Sequence, residues 1–314
     1  MNLDDIFSSK TLNDTGFDNS PGNSSGRVLN KDGSSNVIKT GLTYFKRLSV
    51  FHTLIDLPTL QFFFLVNIIF ILLNIGFASI YFLMPNQSLD IPVHYEGIDK
   101  FLQCFFFSTQ TITTVGFGHI SPMSNIANFV ASFEALFGWI AFAVLTGLIY
   151  GRFAKPKAFL LFSNNALISP YKEGQALMIR MAPYKNNNLT EAEVIMNVSF
   201  KIHQNDKVIN KFLALETEIS KISSLPLNWT VVHKIDEKSP LYGMCKEDYE
   251  INQAEIMVFV KAFDEHFSNV VQQRTSYWYN EIVHGAKFVQ MFRQSDSKKA
   301  TVLELDKLND YKLV

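Results

Sequence analysis

The sequence predicts two unlike halves, an α-helical half made for a membrane followed by an all-β sandwich. Three observations carry that division. Two stretches of about twenty-five residues are almost free of charge. A shorter apolar stretch between them runs into a segment rich in glycine and threonine. From residue 158 onward, apolar and polar residues alternate in short runs separated by turn-rich sequence. The 314 residues leave room for roughly two domains. With a formal net charge of -1, nothing overall would draw the chain to a polyanion, so no nucleic acid is expected as a partner.

In chain order, residues 1–40 are rich in Ser, Asn, Asp and Gly and hold neither an apolar signal core nor a cleavage site. They are expected to form a disordered cytoplasmic tail. Residues 41–58 include "YFKRLSVFHTLIDL", in which Tyr44, Leu48, Phe51, Leu54 and Ile55 keep helical spacing. Lys46, Arg47, His52 and Asp56 occupy the other side, and Pro58 ends the pattern. This reads as an amphipathic helix in the inner headgroup layer, or as an extension of the first span.

The outer helix is placed at 60–84, a run without one charged residue, and as a helix about 37 Å long. Residues 99–113 are apolar and helical in pattern but too short to cross, so the segment must enter and turn back. Non-helical backbone at membrane depth survives only where it is buried in protein or lines a watery cavity. Thr113 to Gly118 should therefore line something polar. Gly116 and Gly118 can adopt left-handed dihedrals, which turns the carbonyls of Thr114, Val115, Gly116 and Phe117 to one side. The side chains of Val115 and Phe117 would then pack against the short helix. One chain cannot surround an ion this way, whereas four copies about an axis can.

The inner helix spans 125–152 and carries a single acid, Glu134, read as a structural link to the back of this loop. Small residues recur along it, and Gly138 and Gly147 are each either a bending point or a packing notch. Lys39, Lys46 and Arg47 precede the first span, and Arg152, Lys155 and Lys157 follow the second, whereas the connecting segment is acidic. Positive residues stay inside, so both termini are expected in the cytoplasm, in a cell inner (plasma) membrane. His119 is a mouth residue that is either simply solvated or sensitive to pH. Cys104 and Cys245 fall on opposite sides of the membrane boundary, cannot pair, and are read as small buried hydrophobes.

In the second half, Val194, Met196, Val198, Phe200 and Ile202 alternate with Glu193, Asn197, Ser199 and Lys201, as a half-buried strand requires. "WTVVHKI" and "EIMVFVKAF" are further strands. Nothing there suggests an enzyme: His and carboxylates are scattered, with no phosphate-cradling loop and no zinc cluster.

"TITTVGFG" (Thr111–Gly118), set after a re-entrant helix and between two spans, resembles the selectivity filter of potassium channels. "GLIYGRFAKPKA" (Gly147–Ala158), "IDEKSPLYG" (Ile235–Gly243) and "QRTSYWYNEIVHGAKF" (Gln273–Phe288) resemble stretches of prokaryotic inward-rectifier potassium channels, and the likeness runs from about residue 44 to 292. The resemblance implies a homotetramer with a pore domain at 59–157 and a regulatory immunoglobulin-like sandwich at 158–314. It also implies a pore helix at 99–113, a filter at 114–118, and K⁺ as the permeant ion bound there without any other cofactor. Residues 41–58 correspond to the family's slide helix. Tyr150 matches a constricting gate, though an interfacial anchor also suits it. Lys46, Arg47, Arg152, Lys155 and Lys157 match a region that binds anionic, phosphoinositide-like lipid, although topology alone also explains those charges.

No arginine-rich helix is present, so gating is expected to be voltage-independent. Gln110 and Phe117 depart from the glutamate and tyrosine common in the family. Phe142 stands where strong rectifiers carry an acid, so weak rectification is expected. Asp264 and Glu265 match a loop that lines the cytoplasmic pore, or are solvated loop charges.

Overall fold

The computed structural model describes residues 26–41, 43, 49–91, 95–204, 207–295, 297 and 299–314. They form two compact units: Gly41–Lys155, and the described residues up to Thr40 together with Pro156–Val314.

The first unit is helical. Helix α1 is Val50–Asp56, α2 is Thr59–Leu83, α3 is Gly97–Ile112 and α4 is Asn125–Phe153. Of the amphipathic segment expected at 41–58, Val50–Asp56 is helix, and Tyr44–Leu48, with Lys46 and Arg47, lie outside the described residues. Pro58 separates α1 from α2 because a residue preceding proline is driven out of the helical region, and Leu57 accordingly has ψ 143. At 25 and 29 residues, α2 and α4 are about 37 and 43 Å long, enough to cross a ~30 Å hydrocarbon core. Helix α3, with 16 residues and about 24 Å, is not. Ser124 caps α4 by accepting the Ala127 N–H at 3.1 Å. Strand β1 (Leu89–Asp90) pairs with β2 (Ser121–Pro122) and ties together the two ends of the loop that holds α3.

The surface of this unit is inverted relative to a water-soluble protein. Leu60, Phe64, Leu72, Phe129, Trp139 and Phe142 are exposed, whereas Asn74, Ser108 and Glu134 are fully buried. A continuous apolar exterior of this size needs hydrocarbon or further protein to cover it. Inside, Ala78, Tyr81, Cys104, Phe107 and Ala127 form the small core between α2, α3 and α4.

The second unit is a β-sandwich. Its strands are β3 (Leu160–Phe162), β4 (Ala166–Tyr171), β5 (Gly174–Pro183), β6 (Leu189–Gln204), β7 (Lys207–Leu215), β8 (Lys221–Ser224), β9 (Trp229–Ile235), β10 (Glu255–Asp264), β11 (Asn269–Trp278) and β12 (Ile282–His284). One sheet runs β11-β10-β6-β7 with β8 also on β6, and the other runs β12-β4-β5-β3 with β9 also on β5. The alternation read from the sequence is what closes it. Leu177, Ile179 and Met181 of β5 share one core with Val194, Met196, Val198 and Phe200 of β6. The chain ends in two small ribbons, β13 (Ala286–Phe288) with β16 (Tyr311–Leu313), and β14 (Phe292–Gln294) with β15 (Thr301–Leu303).

Four features differ from what the sequence predicts. The tail expected to be disordered through residue 40 is ordered over part of its length. Residues 27–36 form a strap in which Glu255, fully buried at the start of β10, accepts the N–H groups of Val28 (2.7 Å) and Leu29 (2.9 Å). Arg27 adds a two-point pairing with Glu281 and a bond to the Ser276 carbonyl, and Lys31 lies over the Tyr277 ring at 3.7 Å. Val28 and Leu29 then pack with Phe212, Met257 and Phe259.

That strap also changes the polar face of β6. Asn197 and Ser199 were expected on a solvated face but are buried, since they sit opposite Met257 and Glu255, on the face the strap covers. Lys201 is buried with them, its ammonium on Gln253 Oε1 at 2.6 Å and over the Trp278 ring.

Third, Asp264 does not line a vestibule. It is fully buried, and its Oδ1 accepts the N–H groups of His266 and Phe267, closing the β10–β11 turn as aspartate side chains commonly do. Fourth, Cys104 is buried but Cys245 is exposed, where it caps the short helix α5 (Lys246–Ile251).

Candidate functional site

The glycine-threonine loop begins as a helix-ending motif. The N–H of Thr114 bonds to the carbonyl of Thr111 (3.0 Å) and that of Val115 to the carbonyl of Gln110 (3.0 Å). This is the paired pattern of a Schellman cap, with Thr114 in the left-handed position that glycine usually takes. Its φ is +61°, a costly conformation for a β-branched residue. Two residues on, Gly116 has φ +55°, and two further, Gly118 has φ +76°, whereas Val115 and Phe117 between them keep ordinary negative φ. The sign of φ therefore alternates from Thr114 to Gly118. A cap sets the first left-handed residue, and the glycines continue the alternation without steric cost.

Residues 113–119 are exposed, His119 among them. Contrary to the expectation from sequence, Val115 and Phe117 do not pack on α3, and are 54% and 77% exposed. Helix α3 instead buries Cys104, Phe107 and Ser108 against the two long helices.

Behind the loop, α4 approaches the end of α3 very closely. A Cβ on Gly138 would lie 2.1 Å from the Ile112 carbonyl oxygen. Of the two readings of Gly138, the packing notch is what this contact describes. Gly147 has nothing within 4 Å and sits in unbroken helix. Four residues before Gly138, Glu134 accepts the Tyr81 hydroxyl at 2.7 Å and meets Ser108 Oγ at 2.5 Å; Ser108 Oγ also lies 3.0 Å from Asn74 Oδ1. Glu134 is therefore linked to Ser108 of α3, the helix that leads into the loop. Its partners on α2, Tyr81 and through Ser108 also Asn74, were not among the expected site residues. The signal was there in the 74, 78, 81 spacing, which puts Asn74, Ala78 and Tyr81 on one helix face.

At the other end of α4, Arg152 donates to the carbonyls of Leu54 (2.6 Å), Ile55 (2.9 Å) and Leu57 (2.7 Å) and stacks on Phe62. It closes the carboxyl end of α1, where a cation meets both the free carbonyls and the helix dipole. Phe51 and Ile55 of α1 rest over Gly151. Lys155 pairs with Asp56 at 2.5 Å, although both groups are half exposed and such pairs contribute little. Of the residues proposed for lipid, Arg152 and Lys155 are thus already engaged by α1, and Lys157 is exposed. Tyr150 and Phe142 are 74% and 70% exposed.

Two membrane-length helices around a short re-entrant helix and a loop of alternating hand define a pore-loop membrane protein, here joined to a β-sandwich. Comparison with known proteins sharpens the class. Residues 160–314 match the family model for the inward rectifier potassium channel C-terminal domain, and residues 68–155 match that for ion channels. The chain is 33% identical over 287 residues to the inward rectifier potassium channel Kirbac3.1 of Paramagnetospirillum magnetotacticum, covering 90% of this chain and 95% of that one. It is 29% identical over 224 residues to inward rectifier potassium channel 4 of Mus musculus, covering 65% of this chain and 47% of the relative. It is 25% identical over 303 residues to inward rectifier potassium channel irk-1 of Caenorhabditis elegans, covering 89% of this chain and 56% of the relative. The chain belongs to the inward rectifier potassium channel family, a family of membrane ion channels and not of enzymes.

Proposed function

We propose that four copies of this chain assemble about a common axis and conduct K⁺ passively through a filter lined by the backbone carbonyls of Thr114, Val115, Gly116 and Phe117. The Thr114 hydroxyl lies at the inner end and Gly118 at the outer. The observation that carries this reading is the alternating sign of φ, positive at Thr114, Gly116 and Gly118 and negative at Val115 and Phe117 between them. Alternation turns successive carbonyls the same way, and four such ladders replace the water around a dehydrated cation. The exposed Val115 and Phe117 side chains support assembly, because neighbouring copies would cover them. The carboxyl end of α3 adds the negative end of a helix dipole beneath the filter.

In this reading four Tyr150 rings form the constriction at the cytoplasmic end, and Gly147 supplies the bend that opens it. Phe142 offers no charge to attract internal blocking cations, hence weak rectification. Anionic lipid acts on Lys157, and on Arg152 and Lys155 by competing with α1 for them; both termini lie in the cytoplasm.

Rubidium uptake into liposomes holding the purified full-length chain tests the proposal. Uptake should be blocked by external barium, should prefer Rb⁺ and K⁺ over Na⁺, and should vanish in Gly116→Ala, whose side chain strains a left-handed backbone. Unchanged selective uptake in that variant would refute the filter geometry.

A further inference from the structure

Four oxygen-bearing side chains meet in the middle of the membrane unit: Asn74 and Tyr81 on α2, Ser108 on α3 and Glu134 on α4. Asn74, Ser108 and Glu134 are completely buried, and Tyr81 is 1% exposed. Three close oxygen–oxygen contacts join them: Tyr81 Oη to Glu134 Oε2, Ser108 Oγ to Glu134 Oε1, and Ser108 Oγ to Asn74 Oδ1. Each needs a hydrogen between the two oxygens. The tyrosine and serine hydroxyls supply one each. Asn74 cannot supply the third by turning its amide over, because its Nδ2 already donates to the Phe70 carbonyl at 2.7 Å, and a flip would set two carbonyl oxygens against each other. The remaining hydrogen has one place left to reside.

We infer that Glu134 is a neutral carboxylic acid whose proton is donated to Ser108, making it a positioning residue for the filter. The chain of donors then runs Glu134 to Ser108 to Asn74 to Phe70, with Tyr81 donating to the other carboxyl oxygen, and every contact is satisfied. Neutrality also suits the surroundings. No basic side chain among the described residues pairs with this carboxyl, and a bare carboxylate in a fully buried site without a cation is among the most expensive groups a protein can hold.

The placement explains what the acid positions. One helical turn beyond Glu134 on α4 lies Gly138, and one turn beyond Ser108 on α3 lies Ile112, whose backbone leaves no room for a Cβ on Gly138. Glu134 and Gly138 are therefore successive contacts of one seam, and the seam ends two residues before Thr114. A hydrogen bond that fixes Ser108 fixes the level of the whole pore helix, and with it the left-handed turn that opens the filter. A charged carboxylate would leave Ser108 with two acceptors and one hydrogen, freeing either α2 or α4 from the pore helix.

The test uses full-length protein reconstituted in liposomes and has a spectroscopic and a functional arm. In infrared difference spectra with isotope-labelled glutamate, wild type minus Glu134→Gln should contain a carboxylic-acid carbonyl band at neutral pH that shifts in heavy water. A carboxylate pair of bands in its place would overturn the inference. Glu134→Gln, whose amide donates to Ser108 and accepts from Tyr81 as the acid does, should keep rubidium-over-sodium selectivity within about twofold. Glu134→Ala should lower it about tenfold, the size of one buried hydrogen bond lost. Loss of selectivity in a tetrameric Glu134→Gln protein would overturn the inference, because it would mean that charge is required. Should Glu134→Gln fail to fold, Ser108→Ala removes the acceptor of the proton and should move the acid band to higher frequency; an unmoved band would likewise overturn it. The functional arm rests on the conduction reading, but the infrared arm does not, so failure of one is distinguishable from failure of the other.

Discussion

Gly138→Ala is the sharpest perturbation the geometry offers. The added Cβ would meet the Ile112 oxygen at 2.1 Å, its carbonyl carbon at 2.9 Å and its Cα at 3.0 Å. Ordinary contact begins near 3.4 Å, so α4 and the end of α3 must part by roughly 1.3 Å at the oxygen. All three obstacles are backbone, and no side chain can swing aside. Overpacking of this kind costs about 1–3 kcal/mol, or roughly 5- to 150-fold in an equilibrium. Because Ile112 lies inside the Schellman turn that runs from Gln110 to Val115, the displacement passes directly to Thr114. The reconstituted variant should therefore lose rubidium-over-sodium selectivity by about tenfold or more, and the proposed tetramer should dissociate at lower temperature. Gly147→Ala is the control, since nothing lies within 4 Å of that site. It should leave selectivity intact and, if Gly147 is the bend, reduce open probability. Wild-type selectivity and thermal stability in Gly138→Ala would refute the packing-notch argument.

Other perturbations address the remaining contacts. Arg152→Ala deprives three carbonyls of α1 of their donor, so amide hydrogen exchange across residues 50–57 should speed up even in neutral lipid; an effect confined to anionic lipid would assign Arg152 to headgroups instead. Glu255→Ala orphans the buried N–H of Leu29, worth about 1–3 kcal/mol, and the half-buried N–H of Val28, and should release the strap at residues 27–36 to rapid exchange without unfolding the sandwich. Burial is the main force lowering the Lys31 ammonium to about 8, partly countered by Glu281 and reinforced by Arg27. An unfolded chain keeps that proton to about 10.5, so between these values the unfolded state binds more protons and folding strengthens as pH rises. Wild type should gain thermal stability relative to Lys31→Met across that interval, and a flat difference would count against the burial argument.

Much of the membrane unit was legible because lipid imposes coarse rules. Length without charge marks α2 and α4, and a helix too short to cross marks α3. The strands were legible from strict alternation, as in Val194 to Phe200. What escaped depends on partners far away in sequence. Val28 and Leu29 sit among Ser, Asn and Gly, and the carboxylate that fastens them is over two hundred residues downstream at Glu255. The same distance hid the burial of Asn197 and Ser199, since alternation reports that a face is polar but not that something covers it. At Thr114 local preference points the wrong way: a β-branched residue is a poor choice for a left-handed cap, and its use there makes sense only if the hydroxyl is wanted. Asp264 illustrates the opposite failure, because its turn-capping spacing to His266 and Phe267 was readable, but the acidic pair drew attention to charge instead.

Everything proposed for conduction reduces to fourfold-arranged backbone oxygens standing in for the hydration of K⁺. An electron-density map of the full-length protein in potassium-containing lipid or detergent, compared with one in sodium, tests that directly. The account predicts a tetramer with a column of density on the symmetry axis level with Thr114 to Phe117, present in potassium and depleted in sodium. A monomer, or a tetramer whose oxygens at these residues turn away from an empty axis in both ions, would contradict it.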